Sequence, residues 1–209
     1  MSETDNRCVV DQERPSAQAV ELGERALVAH GVVVVPTDSV YGLAATCTPG
    51  NPGHERIFEI KGRDRSQTLP LLVADDDALD VFGRDVRPWA RELVRRWWPG
   101  ALTIVVEASD ALPPDFVAAD GSVALRMPDS SLVRELARRC GGALAVTSAN
   151  THGAPSPASF DQLEPSIVAA ADLVYDAGAA PVGVASTIID ARGPEPLVLR
   201  AGAIDVDNR

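Results

Sequence analysis

Hydrophobic residues recur along this chain with two different spacings. Apolar positions three or four residues apart predict helices over residues 15–30, 51–60, 86–98, 129–140 and 159–170. Short runs rich in valine, leucine and isoleucine predict strands over residues 32–35, 69–74, 102–106, 123–127 and 144–146, and near 172–175, 186–190 and 196–200. Because helices and strands alternate, the pattern predicts an α/β fold in which helices cover a sheet.

The last three predicted strands follow one another too closely to leave room for crossover helices. Strands joined by short connections run antiparallel, so we expect antiparallel pairing at that end and a mixed sheet overall. Two helix starts carry capping signals. Asp129 can cap the helix that runs to residue 140, and Ser159 with Gln162 resembles a capping box.

Length and charge limit the possible functions. The chain has 209 residues, no internal repeat and no linker-like segment, which fits one compact domain. Its formal net charge of −11 disfavours a protein whose whole surface grips nucleic acid, although a local basic cleft stays compatible. The apolar runs are too short to span a bilayer, and the N-terminus does not resemble a secretory signal. We therefore expect a cytoplasmic protein with no membrane association.

Side chains that bind metals are few and scattered. The three cysteines and three histidines show no spacing typical of a zinc site or a disulfide framework. The sequence also has no Walker A loop, no GxGxxG fingerprint and no GxSxG nucleophile motif. We therefore predict no metal site and no covalent nucleophile, and a bound nucleotide would have to be held without a P-loop.

Loops rich in small polar residues and arginine follow several predicted strands, where open α/β sheets place their ligands. In the segment PTDSVYGL, the side-chain oxygens of Thr37, Asp38 and Ser39 either meet a polar ligand, or Asp38 and Ser39 cap a turn. In the segment KGR, Lys61 and Arg63 either grip phosphate or complement the dipole at a helix end. Lys61 is the only lysine among 19 basic residues, which makes it a candidate for a specific role.

Two later segments add further donors. Ser148 and Asn150 lie in TSANTHGAPSP, whose prolines would stiffen the loop. Ser186 and Arg200 lie at the ends of two late predicted strands. Hydroxyl, amide and guanidinium groups can all donate hydrogen bonds to an anion, so these segments extend the candidate site.

Taken in order, short motifs across nearly the whole chain resemble the YrdC-like family of L-threonylcarbamoyladenylate synthases, in its short form. They are PTDSVYGL at 36–43, KGR at 61–63, PL at 70–71, WPGALT at 98–103, VALRMP at 123–128, TSAN at 147–150, PSP at 155–157, STIID at 186–190 and LRAG at 199–202. Each motif is short, and their order is what makes them specific. The resemblance implies a single YrdC-like domain over residues 15–203, tails at 1–14 and 204–209, and a twisted open sheet beside a large concave cavity.

The resemblance also implies a reaction, in which L-threonine, bicarbonate and ATP give threonylcarbamoyl-adenylate and pyrophosphate. A separate tRNA threonylcarbamoyl transferase complex would then modify adenosine 37 of certain tRNAs. Such a transfer needs positioning and charge neutralisation more than a nucleophilic side chain, which agrees with the residue types in these loops. Magnesium is expected to accompany ATP, although no carboxylate cage is visible in the sequence.

Matching the family's motifs residue by residue implies two groups of ligands. The threonine-binding residues would be Ser39, Arg126, Ser148 and Ser186. The ATP-binding residues would be Lys61, Arg63, Ser122, Asn150 and Arg200. In this scheme Arg126 pairs with the amino-acid carboxylate, and Lys61 and Arg63 contribute to catalysis through their charge rather than as nucleophiles.

The chain departs from the family pattern around the implied threonine pocket. Ala74 stands where some relatives have a histidine, Ser130 stands where histidine is frequent, and His152 replaces a serine. The loop after KGR is longer than in those relatives, so the polar contact expected there falls to Ser66, Gln67 or Thr68. The core pattern is kept, and these departures weaken the residue-by-residue match for the threonine pocket.

Two other functions stay open on the sequence. A non-catalytic module could bind double-stranded RNA or tRNA on the same concave face, but the net charge of −11 counts against it. Salt-sensitive RNA retention without ATP binding would favour that reading. A related carbamoyl-transfer domain of hydrogenase maturation would come with an acylphosphatase domain and zinc-finger cysteines, which this sequence lacks.

Overall fold

The computed structural model describes residues 6–64 and 68–206. The helices are α1 (Ala17–Val28), α2 (Pro52–Lys61), α3 (Ala78–Phe82), α4 (Pro88–Trp97), α5 (Ser131–Arg139) and α6 (Pro165–Ala170). The strands are β1 (Arg7–Val9), β2 (Val33–Val35), β3 (Gly42–Thr46), β4 (Leu71–Val73), β5 (Gly83–Arg84), β6 (Leu102–Ala108), β7 (Ser122–Arg126), β8 (Ala143–Ser148), β9 (Leu173–Asp176), β10 (Thr187–Asp190) and β11 (Leu197–Arg200). Within the described ranges, no helix has the length and apolar character needed to cross a membrane.

All of these strands belong to one open sheet, in the order β1-β9-β2-β3-β8-β4-β7-β6-β10-β11, with β5 paired to β6. The parallel pairs are β1–β9, β2–β9, β4–β7 and β6–β10. The other pairs are antiparallel, among them β3–β8, β6–β7 and β10–β11. The predicted α/β class and the mixed sheet are therefore confirmed.

Side chains of the central strands alternate between the two faces of the sheet. In β6, Leu102 and Ile104 point to one face and join a large apolar cluster that includes Phe58 of α2. Thr103 and Val105 point to the other face, where they line an open cavity. The period of two in the sequence thus separates a packed face from a face that can receive a ligand.

Helices α1 and α5 cover part of that second face. Leu27 of α1 and Leu132 and Leu136 of α5 pack with Val33 and Leu144 of the sheet, and all five residues are fully buried. This cluster contains no described residue of β6, β7 or β10. The same face is therefore closed by helices at one end and open at the other.

The position of β9 differs from the prediction for the late strands. β10 and β11 pair antiparallel as expected, but β9 lies near the opposite edge, parallel to β1 and β2. Residues 177–186 cross between these positions without a helix. An extended chain covers about 3.3 Å per residue, so a short segment can pass several strands, and close spacing in sequence did not require neighbouring strands.

The helix predicted over residues 159–170 is wrong in its first half. Phe160–Gln162 forms a short 3-10 turn, and α6 begins only at Pro165. The side chain of Gln162 accepts a hydrogen bond from the N–H of Ala158 (2.7 Å), so it closes no capping box with Ser159. Pro165 explains the later start, because proline is favoured in the first turn of a helix and not in its interior.

The predicted cap at Asp129 is also wrong by one residue. Ser130 is the N-cap of α5, and its Oγ accepts a hydrogen bond from the N–H of Val133 (3.4 Å). Asp129 instead uses its N–H to reach the carboxylate of Asp38 (3.1 Å). A contact between distant loops has therefore determined which of two adjacent capping residues is used.

The hydrophobic pattern missed β1, β3, α3 and β5. Strand β3 consists mostly of glycine, alanine and threonine, and it is nevertheless buried along its whole length between β2 and β8. Small residues have little strand preference of their own, so the neighbouring strands decide this conformation. Residues 7–9, which the resemblance assigned to a terminal tail, form β1 and pair with β9.

Candidate functional site

A cavity of about 620 Å³ lies on the part of the sheet that α1 and α5 leave open. Its floor is apolar and is formed by one residue from each of β4, β6, β7 and β10, namely Leu72, Val105, Ala124 and Ile188. Polar and charged side chains surround this floor. The volume lies in the range of roughly 300–1,000 Å³ that is common for small-molecule sites.

The wall of this cavity gathers most of the predicted ligands from distant parts of the chain. The predicted residues that line it are Ser39, Arg63, Ser122, Arg126, Ser148, Ser186 and Arg200. Thr68 also lines it, whereas Ser66 and Gln67 lie outside the described residues. Lys61 and Asn150 are not among the lining residues that the structure describes. The side chains of Lys61 and Asn150 instead form hydrogen bonds with protein oxygens.

Arg126, at the end of β7, is held from three sides. Its guanidinium donates to the carbonyl oxygen of Gly100 (2.9 Å), to Oγ of Ser39 (2.7 Å) and to Oδ1 of Asp38 (2.5 Å). Burial lowers the pKa of Arg126, and the neighbouring carboxylate of Asp38 opposes that shift. The result is a rigid cationic fork at the cavity wall, suited to a planar anion such as a carboxylate.

Arg200, at the end of β11, folds back over the start of β10. Its Nη2 donates to the carbonyl oxygen and to Oγ of Ser186, at 2.8 and 3.0 Å. The same Oγ lies 2.8 Å from Oγ1 of Thr103. Gly202 permits this close approach, because a Cβ there would lie 2.3 Å from the carbonyl oxygen of Ala185. The hydroxyl of Ser186 is therefore fixed between two partners at the wall.

Lys61 lies behind the wall rather than in it. The residue is 4% exposed, and Nζ donates to the carbonyl oxygens of Ser148 (2.6 Å) and Asn150 (2.7 Å) and lies 3.5 Å from Oδ1 of Asn150. An ammonium has three N–H donors, so these contacts use all of them. Burial and Arg63 lower the pKa of Lys61 to about 8, and Glu164 opposes the shift. Lys61 thus braces the loop that carries Ser148, and its predicted contact with phosphate stays a prediction.

The loop after β8 is braced from a second side as well. Nδ2 of Asn150 donates to the carbonyl oxygens of Thr151 and Ala154, both at 2.8 Å. Glu164 accepts hydrogen bonds from the N–H of Thr151 (2.8 Å) and from its Oγ1 (3.0 and 3.1 Å). No sequence motif pointed to Glu164, because its partner lies on a different loop. The amide of Asn150 therefore supports the wall instead of facing a ligand.

Ser122 lies beside the one carboxylate among the described lining residues, Asp120. Oγ of Ser122 donates to Asp120 (2.6 Å), and Arg192 donates to the other oxygen (2.8 Å). These hydrogen bonds, that of Ser122 first, lower the pKa of Asp120. In the part of the chain that the structure describes, no three His, Cys, Asp or Glu side chains are grouped so that they could hold a metal ion. Those residues offer no carboxylate cage.

Three of the departures from the family pattern, Ala74, Ser130 and His152, do not line the cavity, whereas Thr68 in the longer loop does. Ala74 is buried in the apolar cluster under α1 and α5, Ser130 is the fully buried cap of α5, and His152 is exposed on its loop. On β4 it is Leu72 that faces the cavity. None of these three positions is therefore placed to contact a ligand in the cavity directly.

Sequence reasoning missed several cavity residues, namely Thr103, Asp120 and Ser156, whereas Thr37 of PTDSVYGL lines the cavity as one of the candidate oxygens. Thr103 could have been found from alternation, because it shares a face with Val105 in β6. Ser156 belongs to a segment that had been identified, but other residues of that segment were chosen as ligands. Asp120 belongs to none of the sequence motifs that were identified. Together with the predicted residues they give a cavity with cationic and hydroxyl walls over an apolar floor.

Relatives in other organisms share much of this sequence. A threonylcarbamoyl-AMP synthase of Pyrococcus abyssi is 33% identical over 176 residues, which cover 84% of this chain and 52% of the relative. The protein of the same name from Bacillus subtilis is 35% identical over 174 residues, which cover 83% of this chain and 50% of that relative. The chain thus spans about half the length of these curated relatives. A Mycobacterium tuberculosis relative is 35% identical over 182 residues, covering 87% of this chain and 83% of its own.

Solved structures show the same architecture. Pyrococcus abyssi Sua5, crystallised in complex with L-threonine, superposes with a TM-score of 0.87 and 31% identity over 94% of this chain and 57% of that chain. Escherichia coli YciO superposes with a TM-score of 0.86 over 96% of this chain and 97% of that one, but at 22% identity it supports the fold alone. The family model Sua5/YciO/YrdC, described as telomere recombination, matches residues 25–202. This chain belongs to the Sua5/YciO/YrdC family.

Proposed function

We propose that this protein is an L-threonylcarbamoyladenylate synthase, which converts L-threonine, bicarbonate and ATP into threonylcarbamoyl-adenylate and pyrophosphate. The observation that carries the proposal is the cavity wall, where Arg63, Arg126 and Arg200 surround an apolar floor. These cations are concentrated in one place on a protein with a net charge of −11, which suits anionic substrates. Family relatives named threonylcarbamoyl-AMP synthase support the same choice.

The reaction has two steps, carbamate formation and transfer of the adenylyl group. The amine of threonine adds to bicarbonate and water leaves, which gives a carbamate. A carbamate oxygen then forms a bond to the α-phosphorus of ATP while the bond to the pyrophosphate oxygen breaks. Neither step needs a nucleophilic side chain, so the protein has to orient the reactants and balance their charge.

The arrangement supports a division of the wall between the two substrates. Arg126 would pair with the carboxylate of threonine, next to the hydroxyl of Ser39. Ser148 and Ser186 would contact the remainder of the amino acid. The residues proposed for ATP are Arg63, Ser122 and Arg200, with Lys61 and Asn150 holding the adjoining loop.

Magnesium fits this site only as an ion that arrives with ATP. The described wall contributes a single carboxylate, Asp120, which already accepts hydrogen bonds from Ser122 and Arg192. Mg²⁺ commonly keeps several waters and binds substrate phosphates with few protein ligands. When bound it would neutralise phosphate charge, and the arginines would do the same from the protein side.

The product would pass to a tRNA threonylcarbamoyl transferase complex in the cytoplasm, for modification of adenosine 37. Direct RNA binding has weaker support. The net charge of −11 would repel a long phosphate backbone. RNA retention that falls with salt and needs no ATP would favour that second function.

The proposal is tested by measuring pyrophosphate release from the purified full chain with ATP, bicarbonate and single amino acids. We expect release to require both L-threonine and bicarbonate. Serine should be slower and not inert, because one methyl group in an apolar pocket is worth about 1–3 kcal/mol. Equal turnover with threonine omitted would exclude the assignment.

A further inference from the structure

We propose that Asp38 is a positioning residue for amino-acid recognition: its carboxylate fixes the guanidinium of Arg126 so that the remaining N–H donors of Arg126 meet the substrate carboxylate. The inference rests on the proposed function, because it concerns the pocket for threonine. Asp38 does not itself line the cavity among the described residues, so it would act only through Arg126.

Asp38 joins three parts of the molecule. The residue is 4% exposed, and its Oδ1 accepts hydrogen bonds from Nη2 of Arg126 (2.5 Å) and from the N–H of Asp129 (3.1 Å). Its main-chain carbonyl oxygen accepts from the N–H of Val182 (2.8 Å). The loop after β2 is thereby tied to the end of β7 and to the segment before β10.

Burial makes this pair difficult to separate. The side chains of Arg126 and Asp38 are only 7% and 6% exposed. Removing either partner would leave the other charge buried without its counterpart, and such a charge is costly. The guanidinium therefore has one preferred orientation before any substrate enters.

In that orientation, two N–H donors of Arg126 remain for a ligand. A guanidinium has five N–H donors. Nε donates to Gly100, Nη1 donates once to Ser39, and Nη2 donates once to Asp38. Each terminal nitrogen thus keeps one N–H that no described residue accepts. Because Arg126 lines the cavity, this pair of donors matches the two oxygens of a carboxylate.

The experiment compares Asp38→Ala and Asp38→Asn in the full-length protein. We expect Asp38→Ala to raise KM for L-threonine at least tenfold, on the order of one charge-assisted hydrogen bond, because Arg126 loses the contact that orients it towards the substrate carboxylate; KM for ATP should change less than about twofold. Asp38→Asn should raise KM for threonine severalfold, because the amide oxygen can still accept from Arg126. Calorimetric binding of L-threonine gives the same comparison without turnover.

Asp172→Ala is a control in which a carboxylate with similar partners is removed away from the cavity, although the side chain of Asp38 is 6% exposed and that of Asp172 is 42% exposed. Its carboxylate also accepts from an arginine, Arg56 (2.8 Å), and from a main-chain N–H, that of Val32 (2.6 Å), but it does not line the cavity. This variant should lower the melting temperature and leave KM for threonine unchanged. A purely structural role for Asp38 predicts a larger fall in melting temperature than for Asp172, because its ion pair is buried, and an unchanged KM for threonine at both sites.

The outcomes separate this proposal from the proposed function. If Asp38→Ala fails to fold, Asp38→Asn decides, and an unchanged KM and affinity for threonine would overturn the positioning role. Parallel increases in KM for threonine and ATP would overturn it too, since they indicate general loosening. Normal wild-type turnover in those cases leaves the proposed function intact, whereas a wild-type protein that neither binds nor turns over threonine overturns both proposals.

Discussion

Two halves of one sheet face carry different residues. Under α1 and α5 the inward positions are apolar, as at Val33 and Leu144. Over β6 and β7 the corresponding positions include Thr103, Ser122 and Arg126, which line the cavity. Side chains alternate between the two faces of the sheet in the same way in both halves, so the covering helices, and not the backbone, distinguish packing from ligand binding.

The difference suggests that the two halves contribute separately to stability and to recognition. In the covered half, each side chain removes apolar surface from water and fills space between a helix and the sheet. In the open half, hydrogen bonds between the polar side chains of the wall fix their orientation before a ligand binds. Substitutions under the helices should lower the free energy of unfolding, and substitutions around the cavity should first change substrate constants.

The largest expected effect is in the covered half. Leu136→Ala in α5 should lower the free energy of unfolding by about 2–5 kcal/mol, because the side chain is fully buried and would leave a cavity. KM for threonine and ATP should stay near wild type at a temperature where the variant is folded. Chemical denaturation measures the loss.

Arg138→Ala serves as the control on the exposed side of the same helix. Its side chain is 49% exposed and pairs with Asp75 and Glu135, so we expect a change of about 0–1 kcal/mol. If Leu136→Ala raised the substrate constants as strongly as it lowered stability, the two halves would not be separable.

A smaller effect is expected at the cavity wall. Arg126→Lys keeps the charge beside Asp38 but replaces a planar fork with a single ammonium. We expect KM for threonine to rise about ten- to a hundredfold, equivalent to roughly 1.4–2.7 kcal/mol, with little change in KM for ATP. Initial rates at varied threonine and ATP measure both constants. An unchanged response to threonine would mean that Arg126 has a structural role and that the threonine pocket lies elsewhere.

The smallest effect of the three is expected behind the wall. Lys61→Arg should reduce the rate about tenfold, because a guanidinium is too large for a space where Nζ already contacts three oxygens. Lys61→Ala should reduce the rate further, since the loop then loses its brace. Steady-state rates with thermal melts as a control test this, and wild-type rates for Lys61→Arg would remove Lys61 from the site.

The same residue predicts a dependence on pH. With its pKa lowered to about 8, Lys61 loses a proton, and with it one N–H donor, as the pH rises through 8, so activity should fall there. Stability responds in the opposite direction. The unfolded chain holds this proton up to a pKa of 10.5, so this group alone makes the free energy of unfolding rise between about pH 8 and 10.5. An alkaline loss of activity that coincided with unfolding would contradict this assignment.

The sequence predicted the cavity residues better than it predicted their partners. Loops after predicted strands led to Ser39 and Ser186, because such loops lie near one another in an open sheet, whereas Arg126 was implied by the family's VALRMP motif. The pairing of Arg126 with Asp38 could not be predicted, since nothing in PTDSVYGL indicates that β7 ends beside it. Lys61 shows the same limit, because its acceptors belong to a loop far along the chain.

For the fold, prediction succeeded where side chains have strong preferences of their own. The valines of β2 and the amphipathic pattern of α5 indicate their structures locally. The glycine and alanines of β3 do not, because the flanking strands impose that conformation. The position of β9 depends on a crossing segment whose direction no local pattern records.

The pairing of β6 with β10 has a consequence for how the molecule is made. Leu102 pairs with Thr187, and Arg200 then closes on Ser186, so the cavity needs contacts between residues far apart in sequence. Closing long loops is slow, because conformational entropy is lost before the contacts form. A nascent chain on the ribosome therefore has no site until β10 and β11 have emerged. A substrate present at a hundred times its Kd would stabilise the complete fold by about 2.7 kcal/mol and would not stabilise a chain without the site. Such a substrate would therefore favour chains in which β10 and β11 have paired.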